Sequence, residues 1–128
     1  MVEEALYARQ RHWDIIAPID NFFSQFNREY AKYFITTRQT RQITARTLWE
    51  DKTGGRNLSH EEIKARNPRY LPINMKVKFK TVIIIFDDKV AHITSTKEMS
   101  AVLIQSQEVS DTMRAMFDGL WEVSREYK

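Results

Sequence analysis

The sequence predicts an α/β domain, with α+β as the alternative: a mixed sheet of about five strands covered by a long helix from the N-terminal half and by a C-terminal helix. Three stretches carry that expectation. Thr81 to Thr96, TVIIIFDDKVAHITST, sets an apolar strand, an Asp-Asp turn and a second strand in direct succession. A strand that is apolar on both faces belongs in a sheet covered on both sides. Ile19, Phe22, Phe23, Phe26, Tyr30, Tyr33 and Phe34 recur at three- and four-residue intervals, which makes one helical face strongly aromatic. From Ser106 onward, Val109, Met113, Met116, Phe117, Leu120 and Trp121 form a second helical stripe that should dock on the sheet. Hairpin and crossover connections both occur, so the sheet should be mixed.

Taken in order, His12 to Pro18 (HWDIIAP) is a short apolar run closed by a proline, which biases the preceding residue towards extended geometry. It reads as a strand. Asp20 or Asn21 can cap the aromatic helix, which ends near Arg41 after β-branched Ile35, Thr36 and Thr37 weaken it. Ile43 to Trp49 alternates Ile43, Ala45, Thr47 and Trp49 against Thr44, Arg46 and Leu48, the period of a strand. Glu50 to Leu58 holds two of the three glycines and is expected to be a loop. Ser59 stands three residues before Glu62, a capping-box spacing that starts a short helix running to about Arg66, where Asn67-Pro68 stops it. Arg69 to Ile73 (RYLPI) is expected at a sheet edge, because a proline cannot donate to a central ladder. Val77 to Phe86, the turn Asp87-Asp88-Lys89 and Val90 to Thr94 form the hairpin, and Ala101 to Gln105 adds a further strand.

At 128 residues the chain is expected to be one domain, 1–128, with room for a single core. The 42% hydrophobic and 29% charged residues describe a globular mixture. Twenty basic against 17 acidic side chains leave a net charge of +3, which permits an anionic partner without demanding one. The absence of cysteine excludes disulfides and thiolate metal sites. The opening MVEEALYARQRHW lacks a signal-peptide core, and no run approaches the roughly 20 apolar residues of a membrane span, so a cytoplasmic protein without a membrane partner is expected.

Chemistry-bearing patterns are sparse. His12, His60 and His92 have no spacing to one another that makes a metal site, so no metal is expected. Gly54-Gly55 is a turn signal rather than a phosphate cradle, no Gly-x-Ser-x-Gly elbow is present, and neither a cofactor nor an acyl-transfer site is expected. Asp87 and Asp88 adjoin in a turn, where carboxylates usually satisfy turn hydrogen bonds. Arg38, Arg41 and Arg46, with Lys76, Lys78 and Lys80 alternating along one strand, could form an anion-facing surface or simply a solvated charged face. The aromatic residues interleaved with charge in FFSQFNREYAKYF have the spacing of a core-facing stripe rather than of a base-stacking platform. Met113, Met116, Phe117 and Trp121 read as core, or as a groove for a partner helix where exposed.

The run IIIFDDKVAHITSTKEMSAVLIQSQEVSDTMRAMFDGLWE resembles the end of the phospholipase-D-like effector domain that follows a winged helix in TrmB-type transcriptional regulators. The apolar strand, turn, second strand ending in Ser, Ile-x-Ser step and helix with Arg, Phe and Leu-Trp carry the likeness, joined upstream by ITARTL and RYLP. It covers roughly Asp14 to Val123. Active enzymes of the phospholipase D type use His-x-Lys-x-x-x-x-Asp, in which His attacks phosphorus or protonates the leaving group and Lys stabilises the phosphate. Setting the motif's Asp on Asp87 puts Lys80 and Val82 at its His and Lys positions; setting it on Asp88 puts Thr81 and Ile83 there. Neither register supplies a nucleophile, and no catalytic residue is expected.

The resemblance implies a non-catalytic half of the phospholipase-D type that binds a small-molecule ligand or forms a homo-oligomer, and that meets DNA only through a separate winged-helix module. The residues before Asp14 are too few for such a module, so a stand-alone sensor, an excised domain or a relative without DNA binding is expected. Arg46, Arg69 and Lys80 near strand ends are the expected ligand-binding residues, with Trp49 as an apolar wall. Two other readings remain: a nucleic-acid-binding protein using the Arg and Lys surface, and a residual phosphodiesterase working through His92.

Overall fold

The computed structural model describes residues 2–18, 33, 36–50, 59–72, 79–94 and 100–127. A short 3-10 segment, Val2–Tyr7, leads into β1, His12–Ala17. Residues 36–40 are helical and precede β2, Thr44–Trp49. The remainder of the long helix expected from Asp20 to Arg41, and the glycine loop, lie outside the described residues. Then follow α1, His60–Arg66; β3, Pro68–Tyr70; β4, Val82–Phe86; β5, Lys89–Ile93; β6, Ala101–Gln105; α2, Gln107–Val123; and β7, Arg125–Glu126.

The strands form one mixed sheet in the order β6-β5-β4-β1-β2-β3-β7. β1, β2 and β3 are parallel, and the remaining pairs are antiparallel. Seven strands replace the expected five or so. RYLPI is not an edge: β3 begins on Pro68 and ends before Pro72, so neither proline interrupts its ladder, and β7 covers its outer side. β7 is two exposed residues long and carries no hydrophobic signal from which a strand could be read.

Both faces of the sheet are packed. On one, Trp13, Ala17, Ala45, Trp49, Val82, Ile84, Phe86 and Ala91 meet Ala5, Leu6 and Ala8 of the N-terminal segment. On the other, Ile16, Leu48, Ile85 and Val90 lie under Phe117 of α2, flanked by Met113, Leu120 and Trp121. The all-apolar VIIIF segment follows from this, since its alternate residues face two different cores. Among the described residues no helix is long and apolar enough to cross a membrane.

Polar residues fix the ends of the elements. Ser59 and Glu62 make the reciprocal capping box that their spacing predicts, and Ser106 accepts from the Val109 amide at the start of α2. In the turn between β4 and β5, Asp87 takes a left-handed conformation at φ 50 and its carboxylate accepts from the amides of Arg9 (2.8 Å) and Gln10 (3.0 Å). Asp87 does stand in the turn, but its carboxylate pins the N-terminal segment to the hairpin rather than bonding within the turn. Ser106→Ala should destabilise the domain by about 1 kcal/mol, the usual cost of a lost N-cap, with α2 amides exchanging faster in hydrogen exchange. Unchanged exchange at the start of α2 would contradict it.

Candidate functional site

Strand alternation sends Asp14 and Arg46 to the face that α2 covers, and the parallel register of β1 and β2 sets them side by side. Asp14 is only 2% exposed, and a carboxylate in that position must be paired. Its Oδ1 accepts from His12 Nε2 and from Arg46 Nε, each at 2.8 Å, while Oδ2 faces Arg114 Nε at 3.9 Å. Arg46 also donates to Asp118 on α2 at 2.8 Å, and Arg114 donates to the Asp87 carbonyl at 3.0 Å. Burial acts to raise the Asp14 pKa, but the hydrogen bonds from His12 and Arg46 outweigh it and hold the carboxyl below its usual range. The bond to Asp14 likewise raises the Arg46 pKa.

His12 Nδ1 lies 2.8 Å from Thr44 Oγ1, so Thr44, His12 and Asp14 line up in the manner of a hydrolase triad. Their setting argues for a structural line. His12 and Thr44 are register partners at the start of β1 and β2, and the Thr44 hydroxyl also donates to the Arg11 carbonyl at 3.3 Å. Both ring nitrogens of His12 are engaged in tying two strand entries together.

Arg46 continues into an aromatic stack. Its guanidinium lies 4.9 Å from the Phe117 ring centroid and 5.4 Å from that of Trp121, and these rings stack at 5.7 Å. Arg69 covers Trp121 at 4.7 Å, donates to the Trp121 carbonyl at 3.0 Å and approaches Glu126 at 3.8 Å. Two of the residues expected to bind a ligand are thus brought together, with Trp121 rather than Trp49 as the apolar surface between them. Trp49 points to the opposite face, 4% exposed, edge-on to Tyr127. Lys80 is exposed ahead of β4; the pairing of Ile83 with Ile16 places it beyond the C-terminal end of β1, away from Arg46.

Residues 80 to 83, on which the resemblance sets the His and Lys positions of the motif, lie at that same entry to β4. Val82 is 2% exposed within the apolar core beside Trp13 and Ile84, and Thr81 and Ile83 are half-buried. Nearby, buried Glu50 accepts from the Phe79 amide at 2.7 Å. The Arg and Lys surface separates into three environments. Arg46 lies under α2, and Arg38 is buried against the Ile43 and Ala65 carbonyls and Trp13. Arg41 is exposed over Tyr7, while Lys76 and Lys78 lie outside the described residues. Among the described residues, no group of three or more His, Asp or Glu is placed to hold a metal.

Asp14, His12, Arg114 and Asp118 were not among the expected site residues. One signal was present in the sequence, a charged residue at the centre of the apolar run HWDIIA. Its partners depend on the β1–β2 register and the docking of α2, which spacing alone does not give.

No protein-family model and no curated protein matches the sequence. Solved structures match its shape. TrmBL2, an archaeal chromatin protein whose structure shows a novel mode of DNA binding, superposes with a TM-score of 0.64 at 16% identity, over 98% of this chain and 48% of its own. NucT from Helicobacter pylori superposes with a TM-score of 0.64 at 13% identity, over 98% and 87% of the two chains. Nuc from Salmonella typhimurium, a phospholipase D family member, gives 0.59 at 13% identity over 99% and 88%. The chain spans about half the length of TrmBL2 and most of the length of the other two, and at these identities the likeness establishes a phospholipase-D-like fold.

Proposed function

We propose that this domain is a non-catalytic effector unit of a TrmB-like transcriptional regulator, which senses a small ligand or pairs with a second copy and meets DNA through a separate winged-helix module. The observation that carries the reading is the entry to β4: neither register of the motif supplies a histidine, and Val82, one of the two residues at its lysine position, is sealed in the core. The shared shape with TrmBL2 supports it.

The mechanism is a bias on how α2 packs. Asp118 and Glu126 are exposed acids held by Arg46 and Arg69, with side chains 54% and 70% exposed. An anionic ligand that displaces them would exchange the contact between α2 and the sheet for a contact with itself, and so shift the population of docked α2. The outer side of α2 offers the pairing surface: Val109, Met116 and Val123 stand seven residues apart and are all exposed.

Light scattering on the 15.3 kDa chain should report a dimer at micromolar concentration, reduced to a monomer by Met116→Glu. A wild-type monomer at about 100 µM, together with a melting temperature unmoved by millimolar sugars, nucleotides or phosphates, would remove both halves of the reading.

A further inference from the structure

A separate cleft opens beside the N-terminal ends of β1 and β2, at the opposite end of the strands from Lys80. It has a volume of about 480 Å³ and is lined by Leu6, Tyr7, Ala8, Arg9, Arg11, Thr40, Arg41 and Ile43. The apolar members, Leu6, Ala8 and Ile43, are buried and make its floor. The three arginines are exposed, and among the described residues none of them has an ion-pair partner. A fourth, Arg38, lies beneath Ile43, donating to its carbonyl at 3.3 Å and facing no described carboxylate at ion-pair distance. Burial, with the neighbouring Arg66 charge, pushes its pKa down to about 10. Among the described residues, arginines without an ion-pair partner therefore collect at this end of the sheet.

The lining is also held in place. The Arg9 and Gln10 amides are clamped by the Asp87 carboxylate. Arg11 (φ 50) and Gln42 (φ 57) are non-glycine residues in the left-handed region on either side of the cleft. Such conformations persist only where surrounding contacts impose them, here the bonds from Thr44 to the Arg11 carbonyl and from Ile43 to the Arg38 carbonyl. Tyr7 is 62% exposed with the Arg41 guanidinium 4.1 Å from its ring centroid, an aromatic surface at the cleft with its cation already in place.

We propose that this cleft binds the phosphodiester backbone of a single-stranded nucleic acid, with Arg9, Arg11 and Arg41 on phosphates and Tyr7 stacking a base. Guanidinium forks match phosphate oxygens, and an open, unpaired basic cleft beside an aromatic ring is how strands are held without sequence readout. The site stands apart from Arg46, Arg69 and the β4 entry, so the arginine variants of this cleft separate binding here from binding at Arg46 and Arg69.

The test is fluorescence anisotropy of a labelled twelve-nucleotide DNA strand at 20 to 200 mM salt. Wild-type protein should bind with an affinity that falls steeply with salt. Each of Arg9→Gln, Arg11→Gln and Arg41→Gln should weaken binding several-fold and reduce the salt slope by about one. Tyr7→Ala should weaken it about fivefold or more with the slope unchanged. Melting curves matching wild type would confirm that these exposed positions leave the fold intact. Wild-type-like binding by the folded triple arginine variant would overturn the proposal. So would millimolar pyrophosphate or ATP raising the melting temperature while no strand binds, since the site would then take free phosphates only.

Discussion

Asp14→Ala is expected to cost about 3 kcal/mol of stability, because it leaves His12, Arg46 and Arg114 facing an emptied, buried position. The figure sits at the lower end for a broken buried pair because Arg46 keeps Asp118 and both arginines are a little over a quarter exposed. In a domain of this length the loss should appear as a melting temperature lower by roughly 10 °C. Asp14→Asn should cost less, since the amide still accepts a hydrogen bond. The same carboxylate sets an acid limit. Its pKa in the folded state lies below the ordinary value of 3.8, so its contribution to stability is fully present above the unfolded value. That contribution is lost as pH falls through the folded one. Chemical denaturation between pH 6 and pH 2 should show wild-type stability dropping in the acid range, with a smaller drop in Asp14→Asn. Parallel curves for the two proteins would show that Asp14 is not the group responsible.

Phe117→Ala should be more damaging still. Phe117 is fully buried, stacks on Trp121 and lies under the Arg46 guanidinium, so its loss opens a cavity beneath α2 and removes one ring from the stack. Core phenylalanine truncations cost about 3–5 kcal/mol, a large part of the 5–15 kcal/mol total of a typical domain. The expected outcome is near-complete loss of the cooperative near-ultraviolet circular dichroism transition at 37 °C, with β-sheet signal partly retained. Because Arg46 touches both Phe117 and Asp14, the double variant should fall short of the sum of the single costs. Additive losses would mean that the salt-bridge cluster and the aromatic stack act independently.

The order of elements was legible because each apolar run has its own period. A short apolar run closed by a proline gave β1, two-residue alternation gave β2, the turn between two apolar runs gave β4 and β5, the Ser-x-x-Glu spacing gave the start of α1, and the apolar stripe from Ser106 onward gave α2. Pairing was less legible. β7 has two exposed residues and exists because α2 delivers Arg125 and Glu126 to the side of β3, a tertiary event without a local signature. The site divides in the same way. Arg46 and Arg69 were visible as arginines near strand ends, but the ring joining them comes from α2. Trp49 as their wall was excluded by the strand's own period, since residues 46 and 49 fall on opposite faces. Tyr7, Arg9 and Arg11 passed unnoticed because a short 3-10 segment has no periodic signal, and only the fold sets them beside Arg41.

The most direct measurement of the central claim is phosphodiester hydrolysis by the purified wild-type chain, followed as release of p-nitrophenol from bis(p-nitrophenyl) phosphate. With Lys80, Thr81, Val82 and Ile83 at the motif positions, release should not exceed the buffer rate at any pH from 5 to 9. Release that rises in proportion to protein and disappears in Lys80→Ala or His92→Ala would contradict the account and make this domain an enzyme.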